Sequence, residues 1–161
     1  QKVVTMKFMD KKKAKILMDD GLAYQDKGNM FEAEKCYLAA TQICPSFGEA
    51  HLRYGDLLSQ TERPNAAVKE FTLAFENQPE FAEAMTALGD LYSKYNEGEK
   101  AVEAYTKAVN CKKMYIFAYI NLGTHYMNNG QFGESQDTFK KALEKTTDPE
   151  LRKEIQKYYR G

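Results

Sequence analysis

The sequence predicts an all-α fold made of helix-turn-helix repeats, and three regularities predict it. A glycine, an aromatic residue and an alanine each recur at an interval of 34 residues through four copies. Composition alone does not keep several positions in register over four copies, so the pattern indicates a stacked repeat array. The glycines are Gly21, Gly55, Gly89 and Gly123; the aromatic residues are Tyr37, Phe71, Tyr105 and Phe139; the alanines are Ala40, Ala74, Ala108 and Ala142.

The repeat interval divides the chain into a lead-in, four repeats and a cap. We predict a lead-in at 1–13, repeats at 14–47, 48–81, 82–115 and 116–147, and a C-terminal capping helix within 148–161. Each repeat is predicted to hold a first helix of about a dozen residues, a short turn and a similar second helix. Turn signals stand between the paired helices, at residues 27–29, 62–65, 96–98 and 129–130.

The recurring glycines lie inside predicted helices, where glycine costs about 1 kcal/mol relative to alanine. A compensating gain is therefore required at that position, and close approach of the paired helix supplies one. In the third repeat, Ala101 and Ala108 flank Tyr105, whose ring can fill the space beside Gly89. Small and large residues are thus expected to interdigitate between the two helices.

The two ends of the array depart from the pattern. Asp20 stands where a large apolar residue belongs, so either this side of the first helix is exposed at the end of the array or Asp20 meets a polar partner. We favour the exposed end. Pro149 lies two residues later than the spacing of Pro45 and Pro79 predicts, which indicates a two-residue insertion. Residues 149–160 are expected to form the cap, with Ile155 on its apolar face.

Four copies of this pattern resemble the tetratricopeptide repeat family across residues 14–147. The resemblance implies a right-handed superhelical solenoid whose first helices line a concave binding face. It also implies a protein–protein interaction module, an adaptor or scaffold that binds a peptide or helix of a partner. The residues of the fourth repeat that carry the resemblance are Tyr119, Leu122, Gly123, Tyr126, Ser135, Phe139 and Ala142.

The resemblance places a set of candidate partner-binding residues on the first helices of repeats two to four. Acidic residues exceed basic ones at the family's inward-facing positions of the first three repeats, which favours a basic or a mixed basic and apolar ligand. A solvated helix face that simply carries charges explains the excess equally well. The candidates are Leu52, Arg53, Asp56, Glu83, Asp90, Phe117, Ile120 and Asn121.

The first helix of the fourth repeat is apolar nearly all round, and a helix of that kind is normally buried. Something should therefore cover Phe117 and Ile120: the capping helix, a second copy of the chain, or a partner peptide. The rival to an adaptor is accordingly a self-associating structural segment of a larger assembly, joined through the fourth repeat. A regulatory domain of an enzyme whose catalytic part lies elsewhere is a third alternative.

One subclass of the family clamps the C-terminal carboxylate of chaperones with basic and amide side chains. The resemblance implies that its five clamp positions are held here by Met18, Leu22, Arg53, Glu83 and Ala87 in one frame. The next frame is no better, with Leu52, Asp56, Ala87, Phe117 and Asn121. Acidic side chains at these places repel a carboxylate, so we expect no chaperone-tail binding.

Composition and motifs favour no other class of function. Lys+Arg and Asp+Glu both number 23, a balance that gives no broad field for nucleic acid or a membrane surface. Catalytic, cofactor and metal sites are not expected, because no paired acid and base, phosphate-binding loop or ligand cluster is evident. His51 is expected to be a packed or partly exposed core histidine and not a ligand. The three cysteines are interpreted as packing residues of a reducing, cytoplasmic protein.

Overall fold

A computed structural model describes the backbone of residues 2–160 and the side chains of residues 7–160. Over this range the chain forms nine helices and no strand, which confirms the all-α class. The helices alternate with short connections, as the repeat spacing predicts. They are α1 (Lys2–Asp26), α2 (Met30–Ile43), α3 (Gly48–Gln60), α4 (Pro64–Asn77), α5 (Ala82–Lys94), α6 (Gly98–Val109), α7 (Ile116–Asn128), α8 (Phe132–Lys145) and α9 (Pro149–Gln156).

Two compact units make up the chain, unit 1 at residues 1–79 and unit 2 at residues 80–161. In unit 1, α1 packs on α2 and α3 packs on α4, while α3 also contacts both helices of the first pair. Ala14, Met18, Tyr37, Phe47 and Leu57 belong to its buried core. Helix pairs therefore stack through the first helix of the next pair.

Unit 2 repeats this arrangement: α5 packs on α6, α7 packs on α8, and α7 also contacts α5 and α6. The short α9 then packs on α8. Its Ile155 is fully buried in a cluster with Tyr119, Ile120 and Phe139. The capping helix is thus one of the elements that cover the apolar fourth repeat.

The repeat glycines lie against the rings of the paired second helices. A methyl group added at Gly55 would lie 2.6 Å from the ring of Phe71, and one at Gly89 would lie 2.5 Å from Tyr105. Contacts this short do not occur between real side chains, so the close approach of the ring excludes a larger residue. The equivalent pairs Gly21–Tyr37 and Gly123–Phe139 show the same relationship.

Each turn between paired helices contains one residue in the left-handed region, at the same repeat position. Gly28 and Gly130 have φ angles of 76° and 74°, whereas Glu62 and Asn96 adopt 57° and 59°. The residue that follows donates its N–H to a carbonyl five residues earlier, as Arg63 does to Leu58 at 2.9 Å. This hydrogen bond closes the helix end in a Schellman turn.

The ends of the array differ in detail from the sequence-based division. Residues 2–13 of the predicted lead-in are continuous with the first repeat helix, so α1 is nearly twice as long as its counterparts. Asp20 is exposed, in agreement with the favoured interpretation. Helix α9 ends at Gln156, and Tyr158 beyond it stacks on Phe139 at 5.6 Å between ring centroids.

His51 is a packed histidine, as expected. It is only 6% exposed, and its Nδ1 lies 2.7 Å from Oε2 of Glu70. Its Nε2 lies 2.9 Å from the carbonyl oxygen of Pro45. Each ring nitrogen thus faces an oxygen acceptor inside unit 1, and neither is free to ligate a metal.

Candidate partner-binding site

The candidate residues at the fifth repeat position are buried. Leu52 is 1% exposed and Ile120 is 9% exposed, and their equivalents Met18 and Thr86 are buried as well. This position lies three residues before the repeat glycine, on the helix face that the second helix covers. Leu52 and Ile120 therefore offer almost no surface to a partner, contrary to their placement among the inward-facing contact residues.

In unit 1, the candidates Arg53 and Asp56 lie one turn apart on α3. Nη1 of Arg53 is 3.6 Å from Oδ2 of Asp56, a loose ion pair. Beside them Gln25 donates from Nε2 to Oε1 of Gln60 at 2.8 Å and accepts the hydroxyl proton of Tyr37 at 2.7 Å. Desolvation raises the pKa of Tyr37 to about 12, so this hydroxyl remains a donor at neutral pH.

In unit 2, the structure brings the candidates Asp90 and Asn121 together. Asn121 Nδ2 donates to both carboxylate oxygens of Asp90, at 2.9 and 3.1 Å. The hydroxyl of Tyr105 donates to Oδ1 of Asp90 at 2.5 Å. The carboxylate, which α5 carries, is consequently held in one orientation by groups from α6 and α7.

This carboxylate lines an open concave pocket of about 380 Å³, which we name the Asp90 pocket. Ser93 and His125 lie along its wall, with Oγ of Ser93 2.9 Å from Nδ1 of His125. Asn129 approaches the other ring nitrogen of His125 with its Nδ2 at 3.4 Å. The remaining lining side chains are Lys94, Tyr105, Asn121, Thr124 and Asn128.

The charged side chains that line the Asp90 pocket are Asp90 and Lys94. Desolvation raises the pKa of Asp90 above its ordinary value, although the hydrogen bonds from Tyr105 and Asn121 act in the opposite direction. Burial also raises the pKa of Tyr105 and lowers that of His125. Asp90 therefore supplies a fixed negative charge with incomplete solvation, which a cation can complete.

The other two candidates of unit 2 flank this site in sequence. Glu83 is half-buried near the start of α5, and Phe117 is 43% exposed near the start of α7. The ring of Phe117 lies 5.4 Å from that of Tyr115 between centroids. Because Phe117 precedes Asn121 by four residues on one helix, it lies about one turn from the amide that holds Asp90.

The family's inward-facing positions include Ser93, Lys94, Thr124 and Asn128 of the pocket wall, but sequence reasoning missed His125 and, above all, Tyr105. It assigned this ring only to the space beside Gly89, yet its hydroxyl extends past the glycine to Asp90, the next residue. A signal was present. The second-helix aromatic residue is tyrosine in the first and third repeats but phenylalanine in the second and fourth, and only a tyrosine can add a hydroxyl to this face.

Neither a metal site nor a membrane-crossing element is seen in the part of the chain that the structure describes. Among these residues no three His, Cys, Asp or Glu side chains gather closely enough to hold an ion. No helix in the same range combines the length and the apolar character needed to cross a bilayer.

Comparison with known families settles the kind of repeat. Residues 14–47, 48–81 and 82–112 each match a family model for the tetratricopeptide repeat, and residues 118–153 match a second model of the same description. The chain belongs to the tetratricopeptide repeat family. The last match reaches into α9, so the capping helix is continuous with the repeat pattern. No curated protein shows significant sequence similarity to the chain.

Solved tetratricopeptide repeat structures share the fold. A crystal structure of MamA is 29% identical, with a TM-score of 0.72 over 88% of this chain and 80% of that one. YrrB, a tetratricopeptide repeat protein with an unusual peptide-binding site, is 19% identical, with a TM-score of 0.67 over 89% and 74% of the two chains.

A third similar structure contains a bound peptide. The first tetratricopeptide repeat domain of Spaghetti (RPAP3), solved with the HSP90 peptide SRMEEVD, is 18% identical to the chain. Its TM-score is 0.67 over 74% of this chain and 98% of that one. At 18 and 19% identity, the similarity to this domain and to YrrB shows a shared fold and nothing more.

Proposed function

We propose that the chain is a protein-interaction module whose Asp90 pocket binds a peptide or helix of a partner through a basic side chain. Tetratricopeptide repeat proteins generally mediate protein–protein interactions, and two of the similar structures are described by their binding of peptides. The observation that carries the proposal is the Asp90 carboxylate, oriented by Tyr105 and Asn121 at an open pocket.

The chemistry of the pocket supports a basic ligand over an acidic one. Oδ1 of Asp90 already accepts hydrogen bonds from Tyr105 and Asn121, whereas Oδ2 accepts one, at 3.1 Å from Asn121. Oδ2 therefore retains acceptor capacity for an ammonium or guanidinium group. Thr124 and Asn128 add side-chain oxygens within the same lining, to which further donors of a guanidinium could bond.

An apolar contact beside the pocket completes the proposed mode. Phe117 exposes 43% of its surface about one turn from Asn121, so a ligand that carries an apolar side chain four residues from its basic one reaches both on a helix. This is helix-in-groove binding, in which one face of the ligand supplies the anchors.

The test is a binding titration with labelled helical peptides that carry arginine, citrulline or norleucine at one position. We expect the arginine peptide to bind most tightly and Asp90→Asn to weaken it by roughly fivefold, the upper range for a partly exposed ion pair. Asp137→Asn is the matched control, because Asp137 is also exposed but lies on α8. Equal affinity for the three peptides would overturn the basic-ligand assignment.

Two further variants test the pocket and the apolar contact beside it. Lys94 lines it and repels a cation, so Lys94→Gln should tighten the arginine peptide. Phe117→Ala should weaken every peptide that carries an apolar side chain beside its basic one, whereas Phe132→Ala, at a more accessible ring on α8, should not. Loss of binding in the Phe132 variant instead would place the site on the second-helix face.

A structural role by self-association is the second candidate function. Met114 and Phe117 are 52% and 43% exposed near the start of the fourth repeat, although α9 helps to bury Ile120. Light scattering across a concentration series separates the two functions. Self-association that Phe117→Glu abolishes and Asp90→Lys leaves unchanged would favour the structural role, and a monomer that binds peptide would favour the adaptor.

A further inference from the structure

Helix α1 carries an exposed basic and apolar segment that no core residue of the described chain covers. The first buried residue in its described part is Ala14, and residues 7–13 are all exposed. Five lysines and one aspartate lie between Lys7 and Lys15. Within the same segment Phe8 is 71% exposed and Met9 is 65% exposed.

These residues form a stripe on the outer side of α1. Phe8, Lys12 and Ile16 are spaced by four residues, so they lie along one face, and Met9 adjoins it because it precedes Ile16 by seven residues. Ala14 and Met18 lie on the opposite side, in the core of unit 1. The stripe is therefore a mixed basic and apolar helix face, with Ile16 54% exposed at its end.

The stripe has the chemistry that the proposed function requires of a ligand. Phe8 and Lys12 are separated by one helical turn, and the same separation joins Phe117 to Asn121, whose amide holds Asp90. Lys12 placed at Oδ2 of Asp90 thus brings Phe8 toward the exposed ring of Phe117. The charges of Lys12 and Asp90 are opposite, and the spacing of Phe8 from Lys12 matches that of Phe117 from Asn121.

We propose that the ligand of the Asp90 pocket is the α1 stripe of a second copy of this chain. The inference rests on the proposed function and specifies its partner. The contact joins two different surfaces, so a pair of copies retains one free stripe and one free pocket. Association of this kind continues to larger assemblies unless it closes into a ring.

Other contacts within unit 1 leave the stripe available. Lys15 pairs with Asp19 at 3.2 Å, and Nζ of Lys11 lies 5.8 Å from the ring centroid of Phe47. Lys12 makes no ion pair with any described residue. Its charge is thus accessible for an intermolecular pair, which salt should screen.

The decisive experiment uses two full-length variants with complementary defects. The double substitution Phe8→Ala and Lys12→Ala damages the stripe and keeps the pocket, while Asp90→Lys damages the pocket and keeps the stripe. We expect the average mass of the wild type, measured by light scattering, to rise with concentration and to fall in 0.5 M salt. Each variant alone should remain monomeric, and an equimolar mixture should form a one-to-one complex.

Several outcomes would overturn the inference: a wild-type chain that is monomeric throughout the series, single variants that associate as the wild type does, or a mixture that stays monomeric. Circular dichroism of each variant confirms that the fold is retained. A labelled peptide of residues 2–17 provides a separate readout. If it fails to bind while the arginine peptide binds, the self-docking inference is wrong and the proposed function stands.

Discussion

The hydroxyl of Tyr105 donates a hydrogen bond to Oδ1 of Asp90, across the glycine that precedes this aspartate. The ring is therefore part of the core, where its contact with Gly89 sets the approach of α5 and α6, while its hydroxyl orients a carboxylate at the pocket. Tyr105 thus serves both the packing of the two helices and the orientation of the carboxylate. Its place in the repeat therefore also sets the position of the negative charge of Asp90.

We expect Asp90→Asn to weaken binding without lowering the stability of the fold. Desolvation raises the pKa of Asp90, so the folded chain holds this proton at a higher pH than the unfolded chain. Stability consequently increases as the pH falls through the folded-state pKa, and at pH 7 the ionised group is a net cost. We expect the variant to melt at the same temperature as the wild type or higher at pH 7, with the difference vanishing near pH 3. A lower melting temperature at pH 7 would show that the hydrogen bonds outweigh desolvation.

Gly123→Ala should destabilise the fold although alanine is the better helix former. The added methyl group would lie 2.8 Å from the ring of Phe139, and overpacking of this kind costs typically 1–3 kcal/mol against a propensity gain of about 1 kcal/mol. Gly133→Ala is the control, since nothing lies within 4 Å of its added methyl group in α8. Chemical denaturation should show a loss for the first variant and none for the second.

Glu62→Gly should stabilise the chain by up to about 1 kcal/mol. Glu62 has a φ of 57°, a left-handed conformation that costs a side chain roughly 1–2 kcal/mol, part of which glycine returns as chain entropy in the unfolded state. The converse change, Gly130→Ala, tests the same turn position at a φ of 74° and should destabilise. Opposite signs in urea titrations are the expected result; a destabilised Glu62→Gly would contradict it.

Glu34 and Arg63 should show coupling that disappears in acid. Their bidentate ion pair, at 2.7 and 2.9 Å, joins α2 to the turn before α4, and the hydrogen bond from Arg63 lowers the pKa of Glu34. The stabilisation is present above the ordinary pKa of 4.5 and is lost as the pH falls through the lower folded-state value. Because both side chains are partly exposed, a double-mutant cycle at pH 7 should give about 0.5–1 kcal/mol.

The matched control for that pair is Lys107 with Glu103, two exposed side chains of α6 that form an ion pair at 2.8 Å. Its coupling should be the smaller of the two, since it joins no separate elements. Coupling for Glu34 and Arg63 that persists at pH 2 would show that the interaction is not ionic. Equal coupling for both pairs would show that joining two separate elements adds nothing to the interaction.

The chaperone-tail peptide SRMEEVD should not bind at micromolar concentration. Glu83 stands at a clamp position that requires a lysine, and Met18, Leu22 and Ala87 are apolar at three of the other four positions. Like charges across a binding face disfavour the wrong ligand. Fluorescence anisotropy with the labelled peptide checks this, and the arginine peptide on the same protein is the positive control. Micromolar affinity would contradict the assignment.

Much of the fold could be predicted because the same pattern of glycine, aromatic residue and alanine recurs in four repeats. Gly55 and Phe71, or Gly123 and Phe139, identify paired helices without reference to coordinates, since a helical glycine needs a compensating neighbour. The turns were equally evident at Gly28 and Gly130. The length of α1 was less accessible: its first half lacks apolar periodicity, and lysine-rich sequence is consistent with either a helix or an irregular lead-in.

Less of the candidate site could be predicted. The sequence by itself determined the helix pairs, the repeat register and the presence of Asp90 and Asn121 on first helices. The tertiary structure alone decided that these two residues bond each other, that Tyr105 joins them, and that Leu52 and Ile120 are buried. The physical reason is that periodicity fixes the direction of a side chain from its own helix, whereas burial and hydrogen bonding depend on which neighbouring helix covers that direction.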